Sequence, residues 1–438
     1  MEVLNPIPPA RLHPVLKKIL ERSDPADRPR RIKGWIRRLE KRNPVAALQQ
    51  LKLVELHQKS RKPRLAIYDH AFHFIGGAQK YGLTIAQALK DDFDITLISN
   101  KPVNLADFRE WYDMDLSFCT LKTVSLDFFD RMDPVYIDPA KVNPKAGNPF
   151  LAVSKVSARY DIFLNNSMLE MVYPLSCYSV MVCHFPERRP VSYFYADHYH
   201  QVIFNSRYTR GWIEKRWGFT PHTHVYPPVD MEADPAGISK ENLIISVARF
   251  DPGGNKKQLA LVRAFSRLNN AYPEVARKWQ LVLIGGSTLN NPYLSRIETY
   301  IREKRLSNCQ VRVNLPEAEL KKYYARARIF WHLCGLGQDD PAKVEHFGMT
   351  IAEAMQNRVI PLVYDGGGQR EIVENDVNGY RVTSSFELIQ HTVRLMKNPR
   401  KMRELGQNAW QKSRSFSRDR FCIQIRKIFL EILQGFWG

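Results

Sequence analysis

The chain has 438 residues, 44% of them hydrophobic and 25% charged, the balance of a soluble globular protein with room for two or three domains. No run approaches the roughly 18 uncharged apolar residues of a membrane span, and the first 25 residues, broken by Pro6, Pro8, Pro9 and Pro14, contain no apolar core of a signal peptide. The net charge of +20 is concentrated at the ends: residues 1–64 hold 17 Lys/Arg against 6 Asp/Glu, residues 397–438 hold 10 against 3, and the body between is nearly neutral.

Residues 1–63 read as a basic helical extension. Ile32, Trp35, Ile36 and Leu39 recur at the spacing of one helix face, with Arg30, Arg31, Lys33, Arg37, Arg38, Lys41 and Arg42 around them. Such a helix suits the headgroup boundary of an anionic membrane, and suits docking onto the protein's own surface equally well. From Arg64 the pattern changes to short apolar runs separated by helical stretches. Strands are expected at 65–69, 94–99, 161–165, 179–183, 201–205 and 224–226, then at 243–248, 280–284, 310–313, 328–333, 359–364 and 380–382. Continuous apolar runs alternating with helices indicate parallel strands covered on both faces. Tyr226-Pro227-Pro228-Val229-Asp230 is a stiff connector between the two series. The expected architecture is therefore α/β, with two doubly wound Rossmann-like domains at 64–228 and 229–400 facing across a cleft. Residues 401–438 are expected as C-terminal helices returning to the first domain. The stretch 100–160 yields only mixed helix and loop. Six cysteines (119, 177, 183, 309, 334 and 422) form no ligand-like spacing, so free thiols in a reducing compartment are expected, with the cytoplasm as the location and no structural zinc.

Five segments carry candidate chemistry. Ile75-Gly76-Gly77-Ala78-Gln79 follows the first strand and opens a helix, where glycines and free amides admit an anion; a tight turn needing positive φ is the plainer explanation. Cys183-His184-Phe185-Pro186 ends a strand, and its histidine can hydrogen-bond a sugar, though a lone histidine is more often structural. Ser246-Val247-Ala248-Arg249-Phe250 precedes Gly253-Gly254-Asn255-Lys256-Lys257, so Arg249 and Lys256 can neutralise a departing diphosphate. In Glu345-His346-Phe347-Gly348-Met349-Thr350-Ile351-Ala352-Glu353-Ala354-Met355, two glutamates with seven residues between them bracket a glycine turn and a helix start. The amides of Gly348, Met349 and Thr350 would face phosphates there. Asp365-Gly366-Gly367-Gly368-Gln369-Arg370-Glu371 is another strand-to-helix turn, for which a flexible loop with a helix cap is the plainer explanation.

Together these residues resemble the retaining glycosyltransferases of family 4, over about residues 64–400. FNSRYTRGW (204–212), YPPVD (226–230), SVARF (246–250), KKQLALVRAF (256–265), EHFGMTIAEAM (345–355) and GGQREIV (367–373) each look like a signature of that family in its expected order. EHFG with CHFP upstream is similar to mannosyltransferases that extend lipid-linked oligosaccharides, and also to bacterial polysaccharide enzymes. The resemblance implies the GT-B fold, no metal and no cofactor beyond a nucleotide-diphosphate sugar as co-substrate. It implies that Glu345 contacts the donor sugar, Glu353 the ribose, Arg249 and Lys256 the diphosphate and His184 the transferred sugar. Gly76 and Gly77 would line the cleft. Two departures stand out: Gln79 replaces the usual acidic residue after Gly-Gly, and the Arg249-to-Lys256 loop is slightly long. The expected partners are a nucleotide sugar, a glycan or lipid-linked acceptor, and an anionic membrane surface reached through the basic ends; no nucleic acid is expected. The competing reading is an inactive GT-B scaffold or nucleic-acid-binding protein, which a pI near 9.6 permits and the nearly neutral body disfavours.

Overall fold

The computed structural model describes residues 9–127, 129, 147–188, 192–233 and 239–436. Two parallel sheets organise the chain. The first contains β1 (Arg64–Tyr68), β2 (Asp94–Ser99), β3 (Thr120–Thr123), β4 (Ile162–Asn165), β5 (Tyr178–Cys183), β6 (Gln201–Phe204) and β7 (Thr223–His224), in the order β3-β2-β1-β4-β5-β6-β7. The second contains β8 (Leu243–Val247), β9 (Gln280–Gly285), β10 (Cys309–Val313), β11 (Ile329–His332), β12 (Ile360–Tyr364) and β13 (Tyr380–Val382), in the order β10-β9-β8-β11-β12-β13. Each sheet reverses its winding beside its first strand, between β1 and β4 and between β8 and β11. Loops leaving the carboxyl ends of strands flank a crevice at such a switch point.

The apolar runs become strands because both faces are covered. Along β1, Leu65 and Ile67 join one core cluster while Ala66 and Tyr68 join another; along β8, Ile244 and Ile245 divide in the same way. The strand β3 and the helices Leu105–Tyr112 and Leu151–Ser157 lie in the stretch the sequence left unparsed, of which residues 128 and 130–146 fall outside the described residues. β3 has half-exposed and exposed side chains, so it lacks the apolar run that marks its neighbours.

The first 63 residues are not an appendage. They form the helices Pro14–Arg22, Arg28–Glu40 and Pro44–His57. Leu16, Ile19, Leu20, Ile32, Leu53 and Val54 belong to the same core cluster as Leu65 and Ile67, with Trp35 and Ile36 packed against it. The apolar stripe therefore docks on the protein's own surface, while Arg30, Arg31, Lys33, Arg37, Arg38, Lys41 and Arg42 are all exposed. Lys52, fully buried, donates to the carbonyls of Ala158 (2.8 Å) and Tyr160 (2.5 Å). Arg61 grips both oxygens of buried Asp161 at 2.6 and 2.8 Å.

The long helix Arg418–Gly435 closes the same core. Phe421, Ile425, Phe429 and Ile432 repeat at helical spacing, and Phe421 and Phe429 meet Tyr81 and Phe93 edge-on at 4.8 and 5.9 Å. The chain reaches it by crossing the connector, where the Val229 amide donates to the Phe416 carbonyl (2.9 Å) and the Arg418 amide to the Val229 carbonyl (3.2 Å). All six cysteines are free; five are buried and Cys422 is half-buried. Among the described residues no helix is long and apolar enough to cross a membrane.

Candidate functional site

In the second half, the loops after β8 and β11 and the segment before helix Met349–Gln356 bring three polar side chains together. Glu345 Oε2 accepts from Lys256 Nζ at 2.7 Å and from His332 Nε2 at 2.9 Å. His332 closes β11 and is only 1% exposed. Burial alone would raise the Glu345 carboxyl, but Lys256 and His332 outweigh it and hold the group well below the usual carboxylate range. Burial would lower the Lys256 ammonium, and Glu345 more than reverses that, so both groups stay charged. Arg249 follows the end of β8. It is exposed, makes no ion pair among the described residues, and is close enough for its charge to act on Lys256.

Gly348 precedes helix Met349–Gln356 at φ +111°, a conformation that requires glycine, and so turns the chain from Glu345 into the helix. Glu353, one helical face further on, is buried and accepts from the Tyr324 hydroxyl at 2.8 Å. Burial raises its carboxyl, opposed by Lys80 of the first domain and by Tyr324.

In the first half, Gly76 and Gly77 open helix Gly77–Leu89. Neither has positive φ, so the tight-turn explanation fails here. Space is the reason for Gly77: a Cβ there would lie 2.8 Å from Met349 Sδ, and the two helix starts thus touch across the interdomain boundary. The Tyr112 hydroxyl fixes Gly76 by accepting from its amide (2.7 Å) and donating to its carbonyl (3.1 Å). Below them, Asn166 Nδ2 donates to Asp69 Oδ2 at 2.6 Å and Gln79 Nε2 to both Asp69 oxygens at 3.3–3.4 Å. Gln79 is therefore a donor to an acid, a place another carboxylate would not fill without a proton.

His184 follows β5 with its ring edge-on to Tyr81 at 5.2 Å and its Nε2 buried without a hydrogen-bond partner. Burial, then the neighbouring His346, push its imidazole down to about 3, so it is neutral. Phe185 stacks on His346 of the second domain at 4.0 Å and 8°, and Ser206 Oγ donates to the His346 carbonyl at 2.6 Å. The CHFP and EHFG segments are thus in direct contact.

The structure brings Arg249, Lys256 and Glu345 together, puts Gly77 against Met349, and puts His184 beside His346. It does not join Glu353 to the Lys256–Glu345 pair through any hydrogen bond. Cavities of about 290 Å³ at the connector (lined by His224, Tyr226, Glu371, Lys412, Ser415 and Arg420 among others) and about 280 and 320 Å³ elsewhere hold none of the predicted residues.

Three residues escaped the sequence reading. His332 had a visible signal, a polar residue ending an apolar strand run. Asp69 had the same. Glu371 sits in a quoted motif but received no role; its oxygens accept from the Tyr208 amide (3.0 Å) and the Tyr226 hydroxyl (3.1 Å), tying the second domain to a first-domain helix and to the connector. The glycines before it form no loose loop. The Gly368 amide donates to the Glu345 carbonyl at 2.8 Å, and a Cβ on Gly368 would lie 2.1 Å from the His346 carbonyl oxygen.

His332, Cys334 and Glu345 offer three metal-type ligand atoms within 4.8 Å of one another, the one such group among the described residues. The carboxylate already faces the protein's own ammonium, and burial pushes the Cys334 thiol up to about 12, so it holds its proton. The set fits a cation supplied by Lys256 better than a metal ion.

Residues 231–412 match the family described as Glycosyl transferases group 1. The second half of the chain is a glycosyl transferases group 1 domain. Arg249, Lys256, His332, Glu345 and Glu353 lie inside this group 1 domain; Gly76, Gly77 and His184 lie outside it. The chain is 30% identical over 202 residues to the human GDP-Man:Man(3)GlcNAc(2)-PP-Dol alpha-1,2-mannosyltransferase, a match covering 42% of this chain and 38% of that protein. It is 26% identical over 212 residues to the Schizosaccharomyces pombe alpha-1,3/1,6-mannosyltransferase alg2, covering 41% and 40%. The chain thus spans well under half the length of these curated relatives. Among solved structures, a glycosyltransferase from Rickettsia africae superposes with a TM-score of 0.65 at 16% identity, covering 85% of this chain and 99% of that one. Anabaena HepE in complex with UDP and glucose gives 0.62 at 17%, covering 84% and 99%. The group 1 domain and the sheet before it together have the GT-B fold.

Proposed function

We propose that the protein is a retaining hexosyltransferase that moves a sugar, mannose from GDP-mannose before any UDP-sugar, onto a glycan or lipid-linked acceptor at the cytoplasmic face of a membrane. The observation that carries this reading is the Lys256–Glu345 pair with Arg249 beside it, lying beyond the carboxyl ends of β8 and β11 where the two helix starts meet. The donor preference rests on the human relative, whose name gives GDP-Man as donor and PP-Dol on the acceptor; a structural neighbour in complex with UDP and glucose keeps UDP-sugars as the second choice.

In this reading the diphosphate lies against Lys256, Arg249 and the amides of Met349 and Thr350, a helix start that favours an anion. Glu345 and His184 contact the sugar, and Glu353 the ribose. As the bond to the sugar breaks, fixed positive groups stabilise the leaving diphosphate, which takes the proton of the incoming hydroxyl on the same face. No protein nucleophile is needed, and positioning with electrostatic stabilisation supplies the rate. Lys256 and Arg249 supply the positive charge a divalent ion supplies in other transferases.

A panel of GDP- and UDP-sugars tests the donor. GDP and GDP-mannose are expected to raise the melting temperature and GDP-mannose to be turned over, whereas stabilisation by oligonucleotides alone would select the nucleic-acid reading instead. For the membrane, the exposed basic face of helix Arg28–Glu40 is the expected contact. Deleting residues 1–63 would strip the core, so replacing Arg37, Arg38, Lys41 and Arg42 by Gln is the cleaner test: sedimentation with phosphatidylserine vesicles should fall, and equal sedimentation removes the membrane contact.

A further inference from the structure

We propose that His332 is the positioning residue of the site: its Nε2–H fixes one oxygen of Glu345, so that the carboxylate stays aimed at the sugar while Lys256 turns to the diphosphate. This rests on the donor-site reading above.

Lys256 is assigned to the diphosphate, yet its ammonium lies 2.7 Å from Glu345. An ammonium on a flexible four-carbon stem can move to a diphosphate, and the carboxylate would then lose a partner. A half-buried carboxylate without a fixed donor either takes a proton or swings toward water. His332 removes both outcomes. Its ring is held on a strand rather than a loop, 1% exposed, between Phe330, stacked at 6.0 Å, and the carboxylate at 2.9 Å. Its Nδ1 is buried and accepts no hydrogen bond. A carboxylate can only accept, and among the described residues it is the ring's one hydrogen-bond partner, so Nε2 carries a proton. The ring therefore stays a rigid donor to Glu345 whatever Lys256 does.

His332→Gln keeps an N–H donor near the Nε2 position, whereas His332→Leu keeps volume without a donor. With GDP-mannose as probe, His332→Leu is expected to lose about 10²-fold in kcat with a small change in KM, the scale of a misplacement near 1 Å. The acid limb of its pH profile should move to higher pH, because Glu345 has lost a donor to its charged form. His332→Gln should recover most of both. A donor-independent measurement accompanies these: with ¹³C-labelled glutamate, the Glu345 carboxyl of His332→Leu should titrate at higher pH than in wild type. Wild-type kcat in His332→Leu, or an unmoved Glu345 titration, overturns the proposal. If the wild type neither binds nor turns over any nucleotide sugar, the functional reading falls, and the titration still decides the role of His332.

Discussion

Two ion pairs in this molecule use the same chemistry for opposite ends. Arg61–Asp161 lies where β1 and β4 begin, and the carboxylate is saturated: two guanidinium bonds plus the Arg64 amide at 2.7 Å. Lys256–Glu345 lies where β8 and β11 end, and among the described residues the ammonium has a single side-chain hydrogen-bond partner, Glu345. A fork pinned at three points holds a fold; an ammonium with donors left over can be recruited by a ligand. In open α/β sheets the carboxyl ends of strands face the ligand crevice, so position along the strand separates scaffold charge from working charge.

The largest expected effect breaks or upholds that contrast directly. Lys256→Ala should lower turnover of the nucleotide sugar about 10²–10³-fold, with the urea midpoint nearly unchanged; an unfolded variant would mean that this pair too is scaffold. Arg61→Ala should do the reverse. It leaves buried Asp161 without its partner, costing about 3 kcal/mol in urea unfolding while kcat per folded molecule is retained. Next comes acidity. An unfolded histidine takes its proton near 6.5, whereas His184 and His346 do so near 3 and near 4. Between these values the unfolded chain binds more protons, so their contribution to stability is complete above pH 6.5 and shrinks as pH falls, by up to about 1.4 kcal/mol per unit for each group. Melting curves from pH 7 to 5 should show the drop, and His184→Gln should flatten it. The smallest effect concerns the contact between domains. Tyr226→Phe removes one neutral donor to Glu371 and should cost about 1 kcal/mol, seen as a lower melting temperature with an intact spectrum.

The core strands were legible because buried parallel strands advertise themselves as unbroken apolar runs; their ends fall within a residue or two of expectation. β3 was not, since all four of its side chains are exposed or half-exposed and no apolar run marks it. The extension was legible as a basic helix, but periodicity cannot tell whether an apolar stripe meets lipid or a neighbouring helix; three helices and the buried Lys52 and Asp161 supply that answer. At the site, Arg249, Lys256 and Glu345 could be named from local spacing, since each sits in its own turn motif. His332 could not be paired with Glu345, because twelve residues intervene, mostly loop, and nothing in them sets a distance. Gly77 was read as room for a ligand's phosphate, whereas in this structure the neighbour it admits is Met349.

Helix Arg418–Gly435 has a consequence for the order in which the molecule is made. Its Phe421, Ile425 and Phe429 fill a core whose other walls are built from residues below 226. Those earlier residues must wait on the ribosome through some two hundred more before their last wall arrives, while β8 to β13 already have their own covering helices. The domain translated second is thus the one able to fold first, and a nascent chain held on an added C-terminal linker with residue 413 just outside the ribosome should hold a protease-resistant second half beside a cleavable first one.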